Sequence, residues 1–136
     1  MNQREGYIGK AKTHVPSIGT VREYWDRQPC NIRHSQAEIG SLEYFDEVES
    51  RKYFVEPHIP AFAEFDRWDG KKVLEVGCGI GTDATNFMRS GAVYTGVDVS
   101  AESIRIAKQR VEVFSLSGTL IQADAEELDS AVLGSE

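Results

Sequence analysis

Three glycines and three acidic residues carry the chemistry that this sequence offers first. Gly77, Gly79 and Gly81 alternate within Lys71 to Asp83, KKVLEVGCGIGTD. Glycines so spaced remove the Cβ atoms from one side of a tight turn, so the backbone takes positive φ angles and comes close to a ligand. Val73, Leu74 and Val76 ahead of them make a short apolar run with β-branched members, the pattern of a strand buried on both faces of a parallel sheet. Behind them, Thr82 or Asp83 is placed to cap a helix whose N–H groups point back into the turn. This order implies nucleotide or nucleoside binding.

The acidic residues fall where strands are expected to end. Glu75 lies on the first strand, Asp98 closes the second (VYTGVDV, from Val93), and Asp124 follows the third (TLIQA, from Thr119). In open parallel sheets ligands bind beyond the carboxyl ends of the strands. Asp98 follows Gly77 by 21 residues, close to the roughly 20 expected of a carboxylate that accepts both ribose hydroxyls. Asp124 opens the run DAEEL, a second acidic site suited to an adenine amino group. A dinucleotide fingerprint wants glycine or alanine at its sixth position, where this chain has Thr82. A nicotinamide-dependent oxidoreductase is therefore disfavoured but stays open as an alternative, as does a non-catalytic binding subunit.

VLEVGCGIGTD, GVDVS (Gly96 to Ser100) and QADAEEL (Gln122 to Leu128), in that order, resemble the first three cofactor motifs of the class I S-adenosylmethionine-dependent methyltransferases. The resemblance covers Val73 to Leu128. It implies that Glu75 and the backbone of Gly77, Gly79 and Gly81 hold the methionine part of S-adenosylmethionine, with Cys78 a small residue filling a crowded place in the turn. It further implies that Asp98 takes the ribose hydroxyls, that Val99 packs on the adenine, and that Asp124 and the Ala125 N–H meet its edge. Arg51 and Tyr53 are candidate lid contacts to the cofactor carboxylate or the acceptor. No catalytic residue is identified. Class I enzymes usually continue for four more strands, whereas this sequence stops at Glu136. The expectation is the cofactor-binding half of the fold in a fragment of a longer protein; a complete chain would expose its first strand as an edge open to self-association.

The elements that must position these residues form an α/β, Rossmann-like, doubly wound parallel sheet, first three strands only, preceded by N-terminal helices. Residues 1–19 are polar and without period, a flexible arm. Residues 20–69 form a helical lid region. Within it, Thr20 and Glu23 have capping-box spacing for a helix that Pro29 stops. Ser41 caps a second helix to about Val55, with Leu42, Phe45 and Val48 as its apolar stripe. A third starts near Pro60, carries Phe62, Phe65 and Trp68, and ends at Gly70. Residues 70–136 are the cofactor-binding half, with helices over Thr82 to Ser90 and from the Ser100 cap to about Ser117. The aromatic residues Tyr24, Trp25, Phe62, Phe65 and Trp68 read as core.

Composition bounds the partners. The 136 residues carry a net charge of −7 and a pI near 5.0, which argues against a nucleic-acid backbone or an anionic membrane and for a small-molecule methyl acceptor. Cys30 and Cys78 are far apart, and His14, His34 and His58 lie in separate segments, so no metal site is expected. No run approaches the roughly 18–20 apolar residues of a membrane span, and the N-terminus lacks the apolar core of a signal peptide. A reduced, cytoplasmic setting follows as the expectation.

Overall fold

The computed structural model describes residues 15–129. Five helices and three strands follow in the order α1 (Ile18–Arg27), α2 (Leu42–Val55), α3 (His58–Ala63), β1 (Lys72–Val76), α4 (Thr82–Arg89), β2 (Val93–Asp98), α5 (Ala101–Val113) and β3 (Thr119–Gln122). The strands form one parallel sheet in the order β1-β2-β3, with Val73 opposite Tyr94 and Gly96 opposite Leu120. Parallel neighbours need a crossover, and α4 and α5 supply the two.

Both crossover helices pack on one face of the sheet. Ala84 and Met88 of α4 and Ile104 and Ala107 of α5 meet Tyr94 and Leu120 in a single apolar cluster. On the opposite face β1 is open, with Leu74 45% and Val76 53% exposed, although Val97 of β2 is buried there. The first strand is thus not buried on both faces, because it is an outer strand and only its Val73 and Glu75 side turns toward the helices. Its apolar run reads like a central strand, but Leu74 and Val76 on its second face stay exposed while Val73 packs toward the helices.

Within the lid region, α2 docks on the crossover helices. Tyr44, Phe45 and Val48 of α2 pack with Ile80 and Ile106 in a second cluster, and the Tyr44 hydroxyl donates to the Ile32 carbonyl at 2.8 Å. Leu42, expected on this stripe, points outward and Tyr44 takes its place. Arg110 of α5 is fully buried beneath α2. Its guanidinium donates to Thr85 Oγ1 (3.2 Å), Thr82 Oγ1 (3.0 Å), the Phe45 carbonyl (3.4 Å) and Glu49 Oε2 (3.1 Å). A buried charge persists only when paired and hydrogen-bonded, and this fork is.

Several boundaries move from their expected positions. Residues 1–14 of the expected arm lie outside the described residues, while α1 begins at Ile18 with Ser17, not Thr20, as its cap: Ser17 Oγ accepts from the Thr20 N–H at 3.2 Å. The single helix expected near Pro60 is two pieces, α3 and a 3₁₀ turn at Phe65–Trp68, broken by Glu64 in the left-handed conformation. That break leaves Phe62 89% exposed, so it is not core; Tyr24 and Trp25 are exposed as well. Helix α5 stops at Val113, short of Ser117, because Ser115 turns to positive φ. Among the described residues no helix is long and apolar enough to cross a membrane.

Candidate functional site

The glycine turn works through space more than through its donors. Gly77, Gly79 and Gly81 have φ of 76°, 55° and 85°, a region where a Cβ is strained. A Cβ at Gly77 or Gly79 would meet nothing within 4 Å, whereas one at Gly81 would come within 3.2 Å of the Ala107 Cβ. The first two glycines therefore open the turn to a ligand, and the third lets α4 start close against α5. The N–H groups of Gly77 and Cys78 donate to the Val97 carbonyl (2.8 and 3.1 Å), and that of Gly79 to Asp98 Oδ2 (2.9 Å). Helix α4 has Gly81 at its N-cap and no side-chain cap, so neither Thr82 nor Asp83 takes the capping role. Thr82 turns inward to Arg110 and Asp83 to the lid.

Asp98 sits where β2 ends and is held from two sides. Its Oδ2 takes the Gly79 N–H and its Oδ1 the Ser100 N–H at 2.9 Å. Both bonds use lone pairs of an acceptor that has about four such sites, leaving capacity for further donors. Asp124, after β3, accepts the Glu126 N–H at 2.9 Å and starts a short 3₁₀ turn at Ala125–Glu127.

These groups line one cavity of about 480 Å³ with Val76, Val97, Gly77, Gly79, Val99 and Ala125. Its size and mostly apolar wall suit a nucleoside-sized ligand. Of the residues expected at the site, Gly77, Gly79, Asp98, Val99, Asp124 and Ala125 come together here. Sequence reasoning missed its outer wall, formed by Ile18, Trp25 and Cys30, and Ser103 on α5. Ile18 and Trp25 are seven residues apart on one helix, hence on one face. Starting that helix at Thr20 hid the pairing.

The other expected residues lie elsewhere. Cys78 is buried in the sheet–helix core, and burial with the nearby Glu75 and Asp98 charges pushes its thiol up to about 12. Gly81 packs against α5. Glu75 lines a separate groove beside β1 with Leu74, Phe87 and Asp83. Burial, then the Asp83 charge, pushes its carboxyl up to about 7, although the Tyr94 hydroxyl donates to it at 3.0 Å. Tyr53 donates to Asp83 Oδ1 at 2.8 Å while Lys52 pairs with Oδ2 at 2.7 Å. Arg51 is exposed and lies over the Phe54 ring. Tyr53 thus ties α2 to the first turn of α4, and Arg51 reaches neither the cavity nor the groove.

Residues 73–132 match the family model of a methyltransferase domain, and this segment has the class I, S-adenosylmethionine-dependent methyltransferase fold. Over 58 residues the chain is 41% identical to a ubiquinone biosynthesis O-methyltransferase of Klebsiella pneumoniae, a match covering 43% of this chain and 24% of that enzyme. Over 69 residues it is 39% identical to a 23S rRNA (uracil(747)-C(5))-methyltransferase of Pyrococcus abyssi, covering 51% and 16%. The crystal structure of magnesium protoporphyrin IX methyltransferase from Synechocystis PCC 6803 with bound SAM superposes with a TM-score of 0.62 at 19% identity, covering 86% of this chain and 59% of that one. At that identity the likeness is one of fold. The chain spans a quarter or less of the length of these two curated relatives.

Proposed function

We propose that the protein is an S-adenosylmethionine-dependent methyltransferase acting on a small molecule, and that this chain supplies the cofactor-binding side. The observation that carries the reading is the convergence of Asp98, Asp124 and the open Gly77–Gly79 turn on one cavity at the strand ends. In this reading Asp98, oriented by two backbone donors, accepts the ribose hydroxyls. Val99 lies against the adenine, and Asp124 with the Ala125 N–H reads its amino edge. Gly77 and Gly79 leave room for the methionine chain, and Glu75, in the neighbouring groove beside β1, is the candidate partner for its ammonium group. The cofactor would supply a methyl group on a sulfonium, already a good leaving group, so the protein's part is chiefly to hold an acceptor in line.

The acceptor reading rests on the net charge of −7, which disfavours a polyphosphate backbone, and on the small-molecule chemistry in the name of the ubiquinone biosynthesis relative. The name of the second relative is that of an rRNA enzyme, so an RNA acceptor is the comparison arm of any assay. Two free cysteines support a reducing, cytoplasmic setting.

Calorimetric titration with S-adenosylhomocysteine tests the cofactor. Binding is expected, and Asp98→Ala should weaken it by about 10- to 100-fold, since hydrogen bonds to a charged group contribute about 1.5–3 kcal/mol each. A folded protein that does not bind S-adenosylhomocysteine sinks the proposal.

A further inference from the structure

Helix α1 meets the rest of the molecule through a polar tie that shares a residue with the ribose carboxylate. Asp26, near the C-terminal end of α1, accepts with a single oxygen from the Ser100 hydroxyl at 2.8 Å and from the Glu102 N–H at 3.2 Å. Ser100 is fully buried, and its hydroxyl oxygen also takes the Ser103 N–H at 3.0 Å as the cap of α5. The Ser100 N–H in turn donates to Asp98 Oδ1 at 2.9 Å, and Asp98 Oδ2 takes the Gly79 N–H at 2.9 Å. A continuous run of hydrogen bonds therefore joins α1, the start of α5, the strand-end carboxylate and the glycine turn.

The helix so tied has no buried residue of its own. An amphipathic helix is ordinarily held by its buried apolar face. Here Ile18 and Trp25 instead line the cavity, together with Val97, Val99 and the glycine turn. Without a ligand, the apolar surface available to hold α1 is small, and the Asp26 tie sets where the wall stands. With a ligand in the cavity, Ile18 and Trp25 gain an apolar partner.

We infer that Asp26 is a positioning residue for ligand binding: by anchoring α1 to the buried Ser100 it sets the Ile18–Trp25 wall over the adenosine end of the cavity, so ligand binding and the seating of α1 favour each other. This rests on the cavity being the cofactor site. The coupling follows from linkage, because a ligand that touches α1 only when it is seated must stabilise the seated state. Since the wall stands over the adenosine end, Asp26 acts on the nucleoside, and the methionine chain adds nothing to its effect.

The test compares S-adenosylhomocysteine and adenosine on the wild-type protein, Asp26→Ala and Asp26→Asn by calorimetry, with hydrogen exchange of α1 measured free and bound. Asp26→Ala is expected to weaken both ligands by about tenfold, the lower end of what one hydrogen bond to a charge contributes. Asp26→Asn, whose amide oxygen still accepts from Ser100, should stay within about threefold. Bound ligand should slow exchange in α1 of the wild type and much less in Asp26→Ala. If Asp26→Ala does not fold, Trp25→Ala, which removes the wall and keeps the tie, takes its place with the same expected loss. Equal affinity of wild type and variant, or a loss for S-adenosylhomocysteine with none for adenosine, overturns the positioning role alone. No binding of either ligand to the folded wild type overturns this inference and the cofactor reading together.

Discussion

At the scale of single residues, Glu75 and Asp98 show how two carboxylates on neighbouring strands acquire different characters. Asp98 meets a backbone donor at each of its oxygens. Glu75 is buried beside another acid and meets one phenolic donor, so its carboxyl titrates near 7 against an ordinary 4.5. The folded protein then holds a proton that the unfolded chain releases between those values. Stability is accordingly expected to fall as pH rises from about 4.5 to about 7 and to level off above that. Glu75→Gln should remove this slope. It should also raise stability relative to wild type at pH 8 by on the order of 3 kcal/mol, since each pH unit between the two titration points is worth about 1.4 kcal/mol, with no difference at pH 4. Thermal melts of both proteins across that range check it, and parallel pH profiles would show that Glu75 is not the titrating group.

Among the elements, α2 is the one whose placement depends most on charge. Its apolar cluster with Ile80 and Ile106 supplies contact area, yet Glu49, Lys52 and Tyr53 all reach across to Arg110, Arg89, Asp83 and Asn86. Arg110 is the hub, with four acceptors and the Phe45 ring 5.2 Å from its guanidinium carbon. Removing one partner of a buried pair leaves the other uncompensated, which costs about 3–5 kcal/mol. Arg110→Ala is expected to lose that much in chemical denaturation. Arg110→Lys should recover only part of it, since an ammonium cannot reproduce the planar fork. A lysine variant as stable as wild type would show that charge alone, without the fork, holds α2.

For the whole molecule, the decisive feature is the strand order β1-β2-β3, which makes β1 an outer strand. Leu74 on its open face is 45% exposed, and an apolar outer strand offers unpaired backbone groups to another chain. Prepared as residues 1–136, the protein is expected to self-associate with rising concentration in sedimentation velocity. Leu74→Lys, a charge of the kind that guards natural edges, should shift it toward monomer without loss of helical signal. Wild type that stays monomeric at high concentration would show that the edge is not sticky.

The sequence alone determined the parallel three-strand order of elements, the glycine turn and the family resemblance, because those depend on local chemistry. Period-2 and period-3.6 patterns, glycines where φ must be positive, and carboxylates at strand ends are all readable from neighbours in the chain. The Ser41 and Ser100 caps are legible for the same reason. Tertiary structure alone decided which residues meet across the chain. Asp26 finds Ser100 from 74 positions away and Arg110 finds Glu49 from 61, and nothing local marks either pair. Trp25 reads as core in the sequence because aromatic spacing on a helix does not say whether its face meets a sheet or a cavity. The glycine turn shows the same division: spacing predicted its open shape, but only the fold shows that Gly77 and Gly79 spend their N–H groups on Val97 and Asp98 and leave space for the ligand.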